Sequence, residues 1–160
     1  MKFFPSNIYE FKLIDNQNIT IERLNKRTLN SERLISKITD KSFIGKVDEN
    51  QFKIISSDVG KGAFCILSGK INQRHVEVNV EINKPIKILL SILMFSPIIG
   101  LFIELIKKSL EFNPILLLVC FVQILIIRFI LIEMAYKFLS KQSINKLSDV
   151  LDTEWIKKNK

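Results

Sequence analysis

Hydrophobic and polar positions fall into two regimes along the chain. Through the first half they alternate over short runs broken by turn residues. Beyond residue 86 they give way to two long apolar runs, residues 88–106 and 114–132, separated only by Lys107-Lys108-Ser109-Leu110-Glu111-Phe112-Asn113. Each run approaches the ~20 residues an α-helix needs to cross a bilayer core. A short polar link between two such runs predicts a helical hairpin, with spans at about 88–106 and 114–134.

In the first half, residues 8–15 predict a strand and Asn16-Gln17-Asn18 a turn. Residues 19–29 predict a short helix, with Asn18 as its cap and Glu22 near its start. Asn30-Ser31-Glu32-Arg33 either breaks that helix or opens a second helical turn through Ile38. Residues 42–47, 51–56, 63–71 and 75–82 then read as four strands joined by short connections, hence antiparallel neighbours in a meander. The last is the clearest, with Val76, Val78, Val80 and Ile82 on one face and Glu77, Asn79 and Glu81 on the other. The apolar face is expected to be covered by the helix at 19–29, by the first strand or by another chain, and a unit of this size has a marginal core by itself. Asn83-Lys84-Pro85 is too short a link for free tumbling, so the sheet is expected close to the bilayer surface.

After the second run, residues 137–157 continue without Gly or Pro. Ile144, Leu147, Leu151 and Trp155 recur at helical spacing, predicting an amphipathic helix whose stripe is a docking face. It could meet the chain's own soluble domain, lie on the membrane, or pair with a second subunit. The expected fold is an α+β membrane protein. Residues 1–85 form a cytoplasmic antiparallel meander with one short helix, 86–136 the transmembrane hairpin, and 137–160 a cytoplasmic amphipathic helix.

Phe43-Ile44-Gly45-Lys46-Val47, then Phe52-Lys53-Ile54, then Ser68-Gly69-Lys70-Ile71 precede the first apolar run. With these motifs, the order of features resembles a loosely defined set of uncharacterised small bacterial membrane proteins. In that set a strand-rich N-terminal region leads into a two-span hairpin. The resemblance implies topology and carries over no activity. The richness in Ile, Lys, Asn and Phe, with only two alanines, suits an AT-rich bacterial genome.

Formal charge is +8, divided evenly between residues 1–85 and the remainder. On a membrane protein this excess points first to anionic headgroups. Basic and acidic residues alternate along 22–61 without a basic helix face, which argues against nucleic acid. Lys70, Arg74, Lys84 and Lys87 flank the first run, and Lys137, Lys141, Lys146, Lys157, Lys158 and Lys160 follow the second. Only Lys107 and Lys108, with Glu111, lie in the link. The positive-inside rule therefore puts both termini in the cytoplasm of a multi-pass protein, on the composition a bacterial inner-membrane one. The N-terminus has no apolar stretch of signal-peptide type. Cys65 and Cys120 fall in unlike environments and are not expected to pair. One histidine and no Cys/His cluster give no expected transition-metal site or cofactor.

Within the spans, Arg128 stands out, because a guanidinium in hydrocarbon costs a few kcal/mol. Helical rise puts it about 8 Å inside the cytoplasmic edge, matching Leu93 on the first run. Pro97 cannot donate to the Leu93 carbonyl. Arg128 is thus a candidate donor to carbonyls freed there, with Ser96 nearby; the alternative is snorkelling to headgroups or to Glu133. Ser96 and Gly100 permit close helix approach. Glu104 is expected to reach the outer interface or the link lysines, and Gln123 to bond the first run or a Gln123 of a second copy. In the soluble part, Asp58-Val59-Gly60-Lys61-Gly62 lacks the spacing of a phosphate loop. His75 lacks a Ser, Cys or Asp partner, and no catalytic set emerges.

These features favour a non-enzymatic protein whose hairpin holds a small domain at the lipid bilayer for binding a protein partner, or as a homo-oligomer. An immunity protein against a membrane-acting toxin is the alternative. A subunit of a membrane transport or enzyme complex is the third reading.

Overall fold

A computed structural model describes residues 4–107 and 114–159. The chain forms two compact units, one of Met1–Asn83 with Tyr136–Lys160 and one of Lys84–Ala135.

The first unit is built on a seven-stranded sheet in the order β2-β3-β4-β5-β6-β1-β7. Its strands are β1 (Ser6–Leu13), β2 (Thr28–Asn30), β3 (Phe43–Val47), β4 (Gln51–Ser56), β5 (Cys65–Asn72), β6 (His75–Ile82) and β7 (Thr153–Asn159). The four strands from β3 to β6 are the antiparallel meander predicted from alternation. The sheet as a whole is mixed, because β2 joins β3 in parallel. β1 closes on β6 and in turn carries β7, both antiparallel.

Helix α1 (Gln17–Arg27) starts two residues before the predicted first residue, Ile19. Asn16 holds the cap position in extended conformation but makes no side-chain cap bond. The helix ends where Thr28 Oγ1 donates to the Leu24 carbonyl at 2.7 Å. Residues 31–38 form no second helical turn; they run irregularly and return to Ser42, whose amide donates to the Arg27 carbonyl. The β-branched Thr28 leads the chain into pairing with β3, which satisfies backbone groups that a continued helix would have used.

The register puts Phe11 opposite Val76, Tyr9 opposite Val78, Leu67 opposite Val80 and Ile54 opposite Leu67. These positions share one face, and Phe11, Ile54, Leu67, Val76, Val78 and Val80 have no accessible surface. Two glycines in this sheet meet close packing. Gly45 has φ of +150°, and a Cβ there would strike the Lys53 carbonyl of β4. Gly69 lies opposite Phe52, and its missing side chain leaves room for the Phe52 ring.

Helix α4 (Glu133–Leu151) supplies the cover. Tyr136, Ser140, Ser143, Ile144, Leu147 and Leu151 are all buried along one helical stripe. Here the structure corrects the sequence expectation of a helix through residue 157. The helix stops at Leu151, Asp152 takes the left-handed conformation with φ of +57°, and the chain turns into β7. Thr153, Trp155 and Ile156 are strand formers, and the open edge of β1 offers backbone partners. Trp155 therefore belongs to an edge strand opposite Lys12, 39% exposed, and not to the stripe. The turn is tied to the start of α1, where Arg23 bonds Asp15 and sits 3.6 Å from Asp152.

The second unit contains α2 (Lys84–Lys107), α3 (Pro114–Leu125) and a π-helical segment, Ile126–Ile132, that leads into α4. Among the described residues, two helices are long and apolar enough to cross a membrane. Leu89, Ile92, Phe95, Phe102, Leu118, Phe121 and Phe129 are among the large apolar side chains they expose. Residues 108–113 of the link, to which Glu104 is expected to reach, lie outside the described residues.

Leu147 has no accessible surface, so Leu147→Ala should cost about 2–5 kcal/mol of stability. Trp155→Ala at the half-exposed edge should cost clearly less. Thermal unfolding of the detergent-solubilised protein measures both, and equal losses would contradict the strand assignment of residue 155.

Candidate functional site

The polar residues singled out within the apolar runs separate into two places. Ser96, Pro97 and Gln123 line an open groove of ≈ 550 Å³ between α2 and the α3–π helix, together with Gly100 and Cys120. Proline at position 97 removes the donor that the Leu93 carbonyl would use. Ser96 Oγ fills that gap, donating to the Leu93 carbonyl at 2.8 Å. The carbonyl thus has a donor from its own helix, where Arg128 was a candidate. Gly100 leaves open space, since a Cβ there would meet nothing within 4 Å.

Arg128 is absent from this groove. It sits in the π segment, its guanidinium 5.5 Å from the centre of the Phe129 ring. Its Nη1 is buried and has no hydrogen-bond partner among the described residues. The π geometry rotates the side chains that follow relative to an α-helix, and such insertions often accompany functional sites. Nothing in the apolar pattern of the sequence signals it.

On the first unit, three of the four stripe residues, Ile144, Leu147 and Leu151, pack inside the unit. Polar residues also contribute to this contact. Tyr136 Oη donates to the Val80 carbonyl at 2.9 Å. Lys146 reaches off the helix, its Nζ 2.8 Å from Asp58 Oδ1 and 3.2 Å from Ser56 Oγ, and 5.9 Å from the centre of the Phe43 ring. Tyr136, Ser140 and Ser143 read as polar interruptions in the sequence. The signal that finds them is their spacing, because 136, 140 and 143 extend the stripe of 144, 147 and 151 backwards.

The sheet face opposite α4 carries a concave groove of ≈ 730 Å³. Lys46, Lys53 and Lys70 line it with Glu32, Asp48 and Glu77, and Leu34 and Ser31 form one wall. Lys46 and Lys53 are direct cross-strand neighbours, an arrangement of like charges that is unfavourable by itself. Lys46 is 3.6 Å from Asp48. Asn83 Nδ2 holds the wall in position by donating to the Leu34 carbonyl. His75 and the loop at 58–62 lie outside this groove. Burial pushes the Cys65 thiol up to about 12, so it stays protonated at neutral pH. No protein-family model matches the chain, and no curated protein or solved structure matches it.

The Asp58 carboxyl is held below the usual range, first by the Lys146 hydrogen bond and then by the one from Ser56. A carboxyl with a lowered folded-state pKa stabilises the fold above its unfolded value near 4, and this stability is lost as pH falls through the folded value. Partial exposure limits the effect to about 1 kcal/mol or less. Melting temperature should therefore fall below about pH 4 in the parent more steeply than in Asp58→Asn. Identical pH profiles for the two would show that the Lys146 contact contributes nothing to stability.

Proposed function

We propose that this chain is a non-enzymatic membrane protein whose apolar helices anchor a small folded domain at the bilayer, where it binds a protein partner. The observation that carries the reading is a contrast between the two units. The sheet unit closes its own apolar face, with Val76, Val78 and Val80 fully buried under α4. The other unit turns large apolar side chains outward along both long helices, a distribution that water does not favour and lipid does.

The charge pattern supports cytoplasmic placement of the sheet unit, with both chain ends on the side richer in lysine. Partner binding is supported by two features of that unit. One is the groove on the polar sheet face, with its adjacent Lys46 and Lys53. The other is β7, which among the described residues pairs only with β1 and leaves its second edge as a row of backbone donors and acceptors.

The protein should stay with the membrane pellet after alkaline carbonate washing. Reporters fused at either end should be active only as cytoplasmic fusions. Site-specific photo-crosslinkers at Lys53 and Gln51 should capture a partner in the native membrane, while one at Phe102 should capture lipid or a second span. Release by carbonate would overturn the anchor. Retention without any adduct at 51 or 53 would overturn the partner reading while leaving the anchor in place.

A further inference from the structure

A second concavity on the sheet unit differs in charge from the groove above. It measures ≈ 340 Å³ and lies between α4 and the β1–β7 pair. Lys137 and Lys141 enter it from α4, one helical turn apart, and Lys158 enters from β7. Lys158 is there because it stands opposite Tyr9 in the β1–β7 register, which puts it on the α4 side of the sheet. Its neighbour Lys157 stands opposite Glu10. The remaining polar lining is neutral: Asn7, Tyr9, Ser140 and Asn145. Among the described residues no acidic side chain lines the concavity, whereas three acidic residues line the groove on the opposite sheet face. Lys141 and Lys158 have no ion-pair partner among the described residues.

Two lysines such as Lys141 and Lys158, brought to one concavity without an ion-pair partner among the described residues, repel one another, and an anion removes that repulsion. Hydroxyl and amide groups beside them add donors for phosphate oxygens. We propose that this concavity binds a phosphate-bearing anion, with Lys141 and Lys158 as the principal charges and Tyr9 and Asn145 as further donors. One natural source is an anionic lipid headgroup. Lys137 and Lys141 follow directly in sequence on the second apolar run, and Phe138 between them is 67% exposed, a pairing of basic and aromatic residues suited to a lipid interface. The lipid source rests on the membrane reading; the anion site itself does not.

The test is ligand-dependent thermal stability of the full chain in zwitterionic detergent. Three probes are compared at equal concentration: short-chain phosphatidic acid, inorganic phosphate, and short-chain phosphatidylcholine as the zwitterionic control. Phosphatidic acid, inorganic phosphate, or both should raise the melting temperature by several degrees, and phosphatidylcholine should not. The double variant Lys141→Gln, Lys158→Gln should lose the shift. The double variant Lys46→Gln, Lys53→Gln, in the other groove, should keep it. A shift with phosphatidic acid alone assigns the site to a lipid headgroup, and a shift with inorganic phosphate assigns it to phosphate itself. No shift with either anion, an equal shift with phosphatidylcholine, or a shift that survives the Lys141/Lys158 change would overturn the proposal. Failure of carbonate retention with an intact phosphate shift would remove the membrane reading and leave this one standing. Far-UV circular dichroism confirms that each variant is folded before it is compared.

Discussion

The apolar face of the sheet must be kept from water, and α4 keeps it so. Val76, Val78, Val80 and Ile82 finish the last strand before the chain enters its apolar helices. The residues that cover this face in the sheet unit, Tyr136 to Leu151, come after those helices. The pair of apolar helices is therefore an insertion within one folding unit, between the last meander strand and its cover. Burying four aliphatic side chains of this kind contributes on the order of 1.5–3 kcal/mol each. That is more than a small sheet can forgo when net stability is only about 5–15 kcal/mol.

Polar contacts give this cover its register. Apolar burial is non-directional and would tolerate some sliding of a helix over a sheet of Val and Ile side chains. The Tyr136 hydroxyl on the Val80 carbonyl fixes one end of α4, and Lys146 on Asp58 and Ser56 fixes the other. Between them Ser140 and Ser143 are small enough to let the helix backbone lie close. The turn at Asp152 then returns the chain along β1, where Lys158 and Lys141 line one concavity.

The meander from β3 to β6 was legible because strict alternation and short turns determine both face and partner. Strands β2 and β7 were not. Three residues of β2 give no period to detect, and it pairs in parallel with the next strand across an irregular connection that carries no helical or strand pattern. In β7, Trp155 falls by coincidence eleven residues after Ile144, in phase with the helical stripe, and the lysines around it look like a solvated helix face. An edge strand bonded on one side has little need for apolar alternation, so its pattern is weak. Among the site residues, depth along the helices grouped Arg128 with Ser96 and Pro97, whereas the groove brings Ser96 and Pro97 together with Gln123. Depth could not anticipate the π segment around Arg128, because a change in backbone hydrogen bonding leaves the order of apolar residues unchanged. The lysine concavity was hidden for a further reason: one of its three charges arrives only through β7.

An insertion placed between a strand and its cover links the two units energetically. Bringing α4 back onto the sheet closes a loop of residues 84–135, and for a flexible chain of that length the length-dependent closure term is on the order of 3 kcal/mol. Two long helices joined by a short link already hold their far ends near each other once they associate, so much of that loss is met before α4 docks. The groove around Ser96, Gly100 and Gln123 leaves this association loosely packed along part of its length. A surrounding medium that favours helix pairing therefore also favours closure of the sheet's apolar face. In this connectivity, association of the apolar helices shortens the effective loop that α4 must close to reach the sheet.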